Sequence, residues 1–405
     1  MFCPVRRNKG GGVMTKNKAI SVLKKNAMLI VLVLVYIFFV IMTSGQMFEP
    51  LNFNALITQN AYVFVLATGM LMCMLTGGNI DLSCGAFVCF LGAVGGILMM
   101  VKQVNPGVSV LLMLLIGVAY GVVLGFLVAY VDVPPWIATL AGFLAFRGWG
   151  TALLSANSTT GSISLAAQKG FLAVFSGKVF STPVNQINIV CIVAGVIASV
   201  IVVVISFMER ANKIKKGYEA ETVLSLLVRC VLSVAAIMLF AYKLARAGGI
   251  PTVLIWVVVI LLIYNFITSR TVIGRYFYTI GGNREATRLS GVDTRKIMFF
   301  AYLNMAVVTA ITTYIVTARF QAANAQAGTN FEMDAIAACV VGGVSAYGGA
   351  GTVFGMVIGA TLIGVINLGM SLMGVDANWQ KVIKGGVLLA AVVFDILADK
   401  KNSSK

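Results

Sequence analysis

An all-α polytopic bundle of about 10–12 transmembrane helices, interrupted by glycine-rich breaks, is the fold class this sequence predicts. Three observations carry that prediction. Of 405 residues, 60% are hydrophobic and only 11% charged, and the mean hydropathy is +0.97, a balance foreign to soluble domains. Apolar segments recur near 27–43, 55–75, 80–101, 108–131, 135–155, 188–207, 225–243, 251–268, 298–318, 333–348, 351–373 and 380–398, on the scale of the ~20 residues that cross a hydrocarbon core. All seven prolines (4, 50, 106, 134, 135, 183 and 251) fall at segment ends or outside them, so the interiors are free to be continuous helix.

Taken in order, the chain starts with a basic leader at 1–26, of which MTKNKAISVLKKN from Met14 onward would suffice as a cytoplasmic start. The first apolar run ends in TSGQMFEP, without a small-x-small cleavage site, and is expected to be a retained span, not a signal peptide. With the N-terminus inside, the cytoplasmic segments collect 21 of the 30 basic residues, as the positive-inside rule requires. An even number of spans returns the tail, 399–405, to the same side. The formal charge of +17 is then topology; nucleic-acid binding would need a basic face on a soluble fold. Membrane lipid is the partner this composition needs, and no nucleic acid is implied. The largest outside loop, 156–187, contains LAAQKGFLAVF, which suits a short surface helix. A polar insert at 209–229 precedes a helix pair at about 225–268, whose first member is crowded by Arg229, Lys243 and Arg246.

There is no histidine, and the seven cysteines form no CxxC pair. A zinc site and a His-based triad are therefore not expected, and the thiols read as buried small hydrophobes. No cofactor is implied. No constellation of acid, base and nucleophile appears, which disfavours an enzyme.

Two features stand out from the apolar background. The first is GGNREATRLSGVDTRK at 281–296, in a cytoplasmic loop at 269–297. Asn283 can cap a short helix, Glu285 suits its first turn, Arg288 its last, and Gly291 its C-terminal end. The second is a pair of similar segments, Thr76–Gly96 and Val341–Gly364, each with a GG pair after one span and a glycine-rich span next. By this topology both turns lie on one side, as a direct repeat. Gly77, Gly78, Gly342 and Gly343 let the backbone turn or approach closely, and irregular backbone at membrane depth survives only when shielded or lining a water-filled path. Asn79 and Asp81 occupy the first break. Asp81 either caps the following helix with help from Ser83, or contributes to a solute path.

These residues carry a resemblance. GGNIDLSCG at 77–85 resembles the GG-(N)-IDLS-x-G signature, and GGNREATRLSGV at 281–292 the cytoplasmic GGN-x-EAA-RLSG loop, of permease subunits of ribose- and xylose-type ABC sugar importers. The stretches 330–360 and 378–396 continue the match, which covers about 28–398. Length and the insert near 209–250 are most similar to the xylose or multiple-monosaccharide branch. Thr287 stands where the loop pattern has its second alanine, and Cys84 and Ala86 where many members have Val and Ser.

The resemblance implies a permease domain at 27–398 in the cytoplasmic (inner) membrane, passing xylose or a related monosaccharide. It implies three partners: a second permease copy, an ABC ATPase with tandem nucleotide-binding modules, and an extracytoplasmic sugar-binding protein. It assigns ATPase coupling to Asn283, Arg284, Glu285, Ala286, Arg288, Leu289, Ser290 and Gly291, with Ala286 and Leu289 on the docking face. It assigns the translocation path to Gly77, Gly78, Asn79, Asp81, Ser83, Gly342 and Gly343. These 405 residues contain no GxxxxGK[ST] phosphate loop, so ATP hydrolysis is expected from the separate subunit. The alternative is a secondary transporter or channel for a small polar solute that works without an ATPase. It would need membrane-buried charges suited to ion coupling, for which Asp81 and Arg147 are the candidates.

Overall fold

The computed structural model of the chain describes residues 27–183, 186–218 and 222–403; the basic leader at 1–26 and the end of the tail lie outside the described residues. Helices α1 (Ala27–Met42), α2 (Pro50–Leu75), α3 (Cys84–Gly96, widened into a π turn at Ile97–Val101), α4 (Pro106–Ala129) and α5 (Pro135–Asn157) come first. The outer loop follows as β1 (Ser162–Ser164), α6 (Lys169–Ser176) and β2 (Lys178–Val179), then α7 (Ile189–Lys215), α8 (Val223–Arg246), β3 (Ile250–Pro251) and α9 (Thr252–Arg270). The charged loop at 269–297 is built from α10 (Val272–Gly282) and α11 (Arg284–Leu289). Last come α12 (Thr294–Phe320), β4 (Ala322–Asn324), α13 (Phe331–Val341), α14 (Val353–Leu372) and α15 (Ala377–Ser403). Among the described residues nine helices are long and apolar enough to cross a membrane, making this an all-α, multi-pass membrane bundle.

Proline and burial explain the layout. Pro50, Pro106 and Pro135 are the first residues of α2, α4 and α5, where a missing N–H costs nothing. The apolar stretch of α2 is 72% buried and those of α3, α12 and α14 are 67% buried, against 17% for α7 and 11% for α8. The first four are thus the centre, and α7 and α8 a peripheral pair. Lys243, near the end of α8, is buried because its ammonium donates to the Phe48 carbonyl at 2.6 Å and sits 3.4 Å from the centroid of the Phe48 ring. That anchorage reconciles a cation with a span end. The expected surface helix in the outer loop is α6, held by Phe171 and Phe175. Short antiparallel pairs tie the loop down: β1 to β4, with Ile163 opposite Ala323, and β2 to β3, with Val179 opposite Ile250. The six described cysteines are free and buried.

The segment at 333–348 differs from a simple span. After α12 the chain turns back into the bundle. Gly96 meets Ala323, and Gly85 meets Gly328, so residues 323–328 run down α3 for about three turns, roughly 16 Å at 1.5 Å per residue. Helix α13, with 11 residues, completes the crossing as a half-helix. Its irregular lead-in exposes carbonyls that need partners at membrane depth. Arg147 on α5 supplies them, donating through Nη1 to the carbonyls of Ala325 at 3.2 Å and Ala327 at 2.9 Å. Arg147 is therefore a backbone clamp.

Replacing Arg147 with Met keeps the length and removes both donors. Hydrogen bonds to charged groups contribute about 1.5–3 kcal/mol each, so R147M is expected to lower the apparent melting temperature of the detergent-solubilised protein clearly, as followed by fluorescence-detected size exclusion after heating. An unchanged melting curve would contradict the clamp.

Candidate functional site

The charged loop is built as the capping chemistry dictates. Thr271 caps α10 by accepting from the Gly274 N–H at 3.0 Å, and α10 buries Gly274, Phe277 and Ile280 along one face. Asn283 ends α10 and caps α11, its Oδ1 accepting from the Ala286 N–H at 2.9 Å. Glu285 and Arg288 form an exposed ion pair at 3.0 Å, with the signs that the helix dipole favours at each end. Gly291 leaves the helix at φ +88. Asp293 then caps α12, accepting from the Lys296 N–H at 3.1 Å. That backbone bond holds its carboxyl below the ordinary carboxylate range, so the cap stays ionised at neutral pH.

Burial divides α11 into two faces. Thr287 is its buried residue; its hydroxyl donates to the Asn283 carbonyl at 2.8 Å, and Ser290 Oγ donates to the Thr287 carbonyl at 2.7 Å. Arg284, Glu285, Ala286 and Arg288 are exposed. Leu289 is 83% exposed, an aliphatic side chain with no cover among the described residues. The position departing from the family pattern thus points inward, and the outer face keeps the pattern.

Beneath α11 three glycine turns meet. A Cβ on Gly78 would collide with the Ala346 carbonyl, one on Gly348 with the backbone of Gly77, and one on Gly281 with the Leu75 carbonyl and the Gly349 amide. The Gly349 N–H donates to Leu75 O at 3.1 Å, and the Tyr278 hydroxyl to Gly351 O at 2.9 Å. The end of α2, the loop between α13 and α14, and the end of α10 are therefore in backbone contact. Both GG turns lie on the side of α11. Gly342 closes α13 against the Gly355 carbonyl, and Gly343 follows at φ +81.

Beside this junction a cleft of about 500 Å³ is lined by Gly77, Asn79, Asp132, Gly282, Asn283 and Arg284, among others. It brings candidates from the first break and from the charged loop to one surface. Asn79 Nδ2 donates to the Thr76 carbonyl at 3.1 Å. Asp81 and Ser83 are buried away from the cleft lining. Asp81 Oδ1 accepts from Ser83 N–H at 2.8 Å and Ser83 Oγ at 2.5 Å, and Ser83 Oγ accepts from the Tyr120 hydroxyl at 2.7 Å. The carboxylate thus closes a tight turn ahead of α3, and no side chain caps the helix itself.

Sequence reasoning missed a second polar cluster. Asp334, in the first turn of α13, is buried; it pairs with Lys384 of α15 at 2.9 Å and accepts from the Tyr62 hydroxyl at 2.5 Å. Tyr62 stacks on Phe331 with centroids 3.8 Å apart. Glu332 is buried nearby, and its Oε2 has no partner among the described residues. The signal was two acidic residues in NFEMDAI and a lysine in NWQKVIK, fifty positions apart and joined only by the return of α15.

A membrane bundle with broken helices, whose two breaks meet at the end of α10 below a capped, partly apolar helix, has the form of a transporter subunit. Residues 52–392 match the family described as branched-chain amino acid transport system / permease component, and the chain belongs to that permease family, in its ribose and xylose branch. It is 32% identical to the xylose transport system permease protein XylH of Haemophilus influenzae over 96% of this chain and 100% of that protein. Against the ribose import permease protein RbsC of Escherichia coli (strain K12) it is 30% identical over 90% of this chain and 92% of that one. Similarity extends at 26% identity to the galactose/methyl galactoside import permease protein MglC of Haemophilus influenzae, over 95% and 97% of the two chains. No solved structure gives a significant match.

The junction makes a sharp contrast available between neighbouring glycines. Gly281→Ala overpacks a backbone contact, for which about 1–3 kcal/mol is typical. A Cβ on Gly282 meets nothing within 4 Å, so Gly282→Ala is expected to stay within about 0.5 kcal/mol of the parent. Thermal stability of the two purified variants checks this, and equal losses would remove the junction's special status.

Proposed function

We propose that this chain is the membrane-spanning subunit of an ATP-driven importer that carries a monosaccharide, xylose or a related sugar, across the cytoplasmic membrane, with both termini inside. Two copies form the pathway. An ATPase with tandem nucleotide-binding modules binds at the cytoplasmic loop, 269–297, and a sugar-binding protein delivers the cargo at the outer loop, 156–187. The names of the relatives support the sugar class. The observation that carries the reading is α11 itself: six residues, too short to be stable alone, yet capped, ion-paired and rooted by Thr287, with Leu289 held outward.

The mechanism follows from how α11 is mounted. A partner that grips Leu289 and Ala286 and moves would displace α10, and Gly281 passes that movement by backbone contact to Leu75 and Gly349. Because α2 and α14 leave this junction, both breaks are shifted together. Packed backbones switch between discrete arrangements and do not deform smoothly, which suits alternating access. Asn79, Asn283 and Arg284 line the cleft through which solute would leave.

A transporter coupled to an ion gradient is the second reading, and buried Glu332 is the observation on its side. Asp334 does not favour it, since its charge is already closed by Lys384.

Replacing Glu285 with Ala together with Leu289 with Asp is expected to leave insertion in the membrane intact, to reduce co-purification of the ATPase, and to cut uptake about tenfold or more, the loss expected when about 1.4 kcal/mol of docking energy goes. Wild-type uptake should stop with vanadate and survive a protonophore. Normal coupling in the double variant sinks the docking helix; uptake abolished by the protonophore alone sinks the ATP-driven reading.

Asp81→Asn retains the acceptor for the Ser83 amide, so uptake is expected to remain within about twofold of the parent. Asp81→Ala removes both bonds to Ser83, about 0.5–1.5 kcal/mol each, and should lower the yield of folded protein. Uptake lost in Asp81→Asn at normal yield would give the carboxylate a role in the solute path.

A further inference from the structure

A cavity of about 250 Å³ lies in the half of the bundle remote from α11, among Asn60 and Tyr62 of α2, Arg319 of α12, Asn367 of α14, and Gln380 and Lys384 of α15. Helix α12 starts beside α11 and ends at Phe320, which places the Arg319 end on the outer side. The volume is below the ~300 Å³ at which drug-sized pockets begin. It suits a smaller solute.

The walls have a consistent chemistry. Four side-chain amides, of Gln59, Asn60, Asn367 and Gln380, both donate and accept, as hydroxyl groups do. Asn60 is 2% exposed, seated against Gly364, with its Nδ2 bonded to the Leu56 carbonyl at 2.7 Å. Asn367 lies one turn further along α14, and its Oδ1 is buried with no protein partner among the described residues. Gln380 is fixed by its Nε2 donating to the Val375 carbonyl at 2.9 Å. The stacked rings of Tyr62 and Phe331 form an apolar edge. Of the two cations at the wall, Lys384 is engaged by both oxygens of Asp334, at 2.9 and 3.2 Å, while the Arg319 guanidinium has the Phe320 ring beside it, 5.3 Å from the centroid. Recognition then falls to the amides, with Arg319 as a further donor.

We propose that this cavity is a binding stage for an uncharged, polyhydroxylated solute of monosaccharide size on its passage through the bundle, with Asn367 and Gln380 as its contacts. This rests on the importer reading and adds to it a site within the membrane subunit.

The test uses the complete importer in its own membrane. Gln380→Cys puts a thiol on the cavity wall, while the six described native cysteines are buried. Millimolar D-xylose, D-ribose or D-galactose is expected to slow its labelling by a membrane-impermeant maleimide several-fold, and sodium D-glucuronate to have no effect. Adding Asn367→Leu should abolish that protection, and alone should lower uptake of the protecting sugar about tenfold, as for loss of a net hydrogen bond of about 1.4 kcal/mol. Absence of protection by all three sugars, protection by glucuronate alone, or undiminished uptake in Asn367→Leu would each overturn the site. Should Asn367→Leu fail to assemble, protection of Gln380→Cys decides the matter alone. Protection needs no ATP, so a wild type without ATP-dependent uptake would count against the importer reading and leave the labelling result to judge the cavity.

Discussion

Backbone packed directly on backbone at the three glycine turns is the contact on which the rest depends. Between helices in lipid there is little hydrophobic driving force, so association relies on close packing and on hydrogen bonds that the interior must supply. Here Gly78, Gly281 and Gly348 bring main chains to distances that a Cβ would forbid. The Gly349 amide and the Tyr278 hydroxyl then satisfy carbonyls left free by the breaks. A looser junction would leave those groups unpaired at membrane depth, a cost of several kcal/mol per group. The same closeness couples α2, α14 and α11 mechanically.

Polar side chains in the interior follow one rule: each meets a partner before it meets lipid. Asp81 is closed by Ser83, which Tyr120 in turn engages, Asp334 by Lys384 and Tyr62, Lys243 by Phe48, and Arg147 by two carbonyls. Most of these tie together elements far apart in sequence, so they act as registry pins as much as sources of stability. Among the atoms outside the rule are the Tyr302 hydroxyl, Glu332 Oε2 and Asn367 Oδ1, the last two flanking the half-helix side of the bundle. By contrast, the charges of α11 are exposed and paired only with each other, as a surface awaiting a protein partner would be.

Much of the fold and part of the site were legible in the residues. Span lengths, prolines at helix starts and the run of caps through Asn283, Glu285, Arg288 and Gly291 are local features, and local chemistry decides them. The half-helix was not legible, because 333–348 is apolar enough to pass for a span. What shortens it is the descent of 323–328 along α3, a contact between Gly85 and Gly328 that no window of sequence contains. The inward turn of Thr287 was hidden likewise, since the face a two-turn helix buries depends on what lies beneath it.

The sequence by itself determined the bundle and the capped helix within its charged loop, since hydropathy and capping act over a few residues. Only the tertiary structure decided that the Gly77–Gly78 turn, the loop after α13 and the end of α10 form one junction, that Arg147 is a clamp, and that Asp334 finds Lys384. Those facts rest on distances between segments up to some 270 positions apart, which depend on how every intervening helix packs.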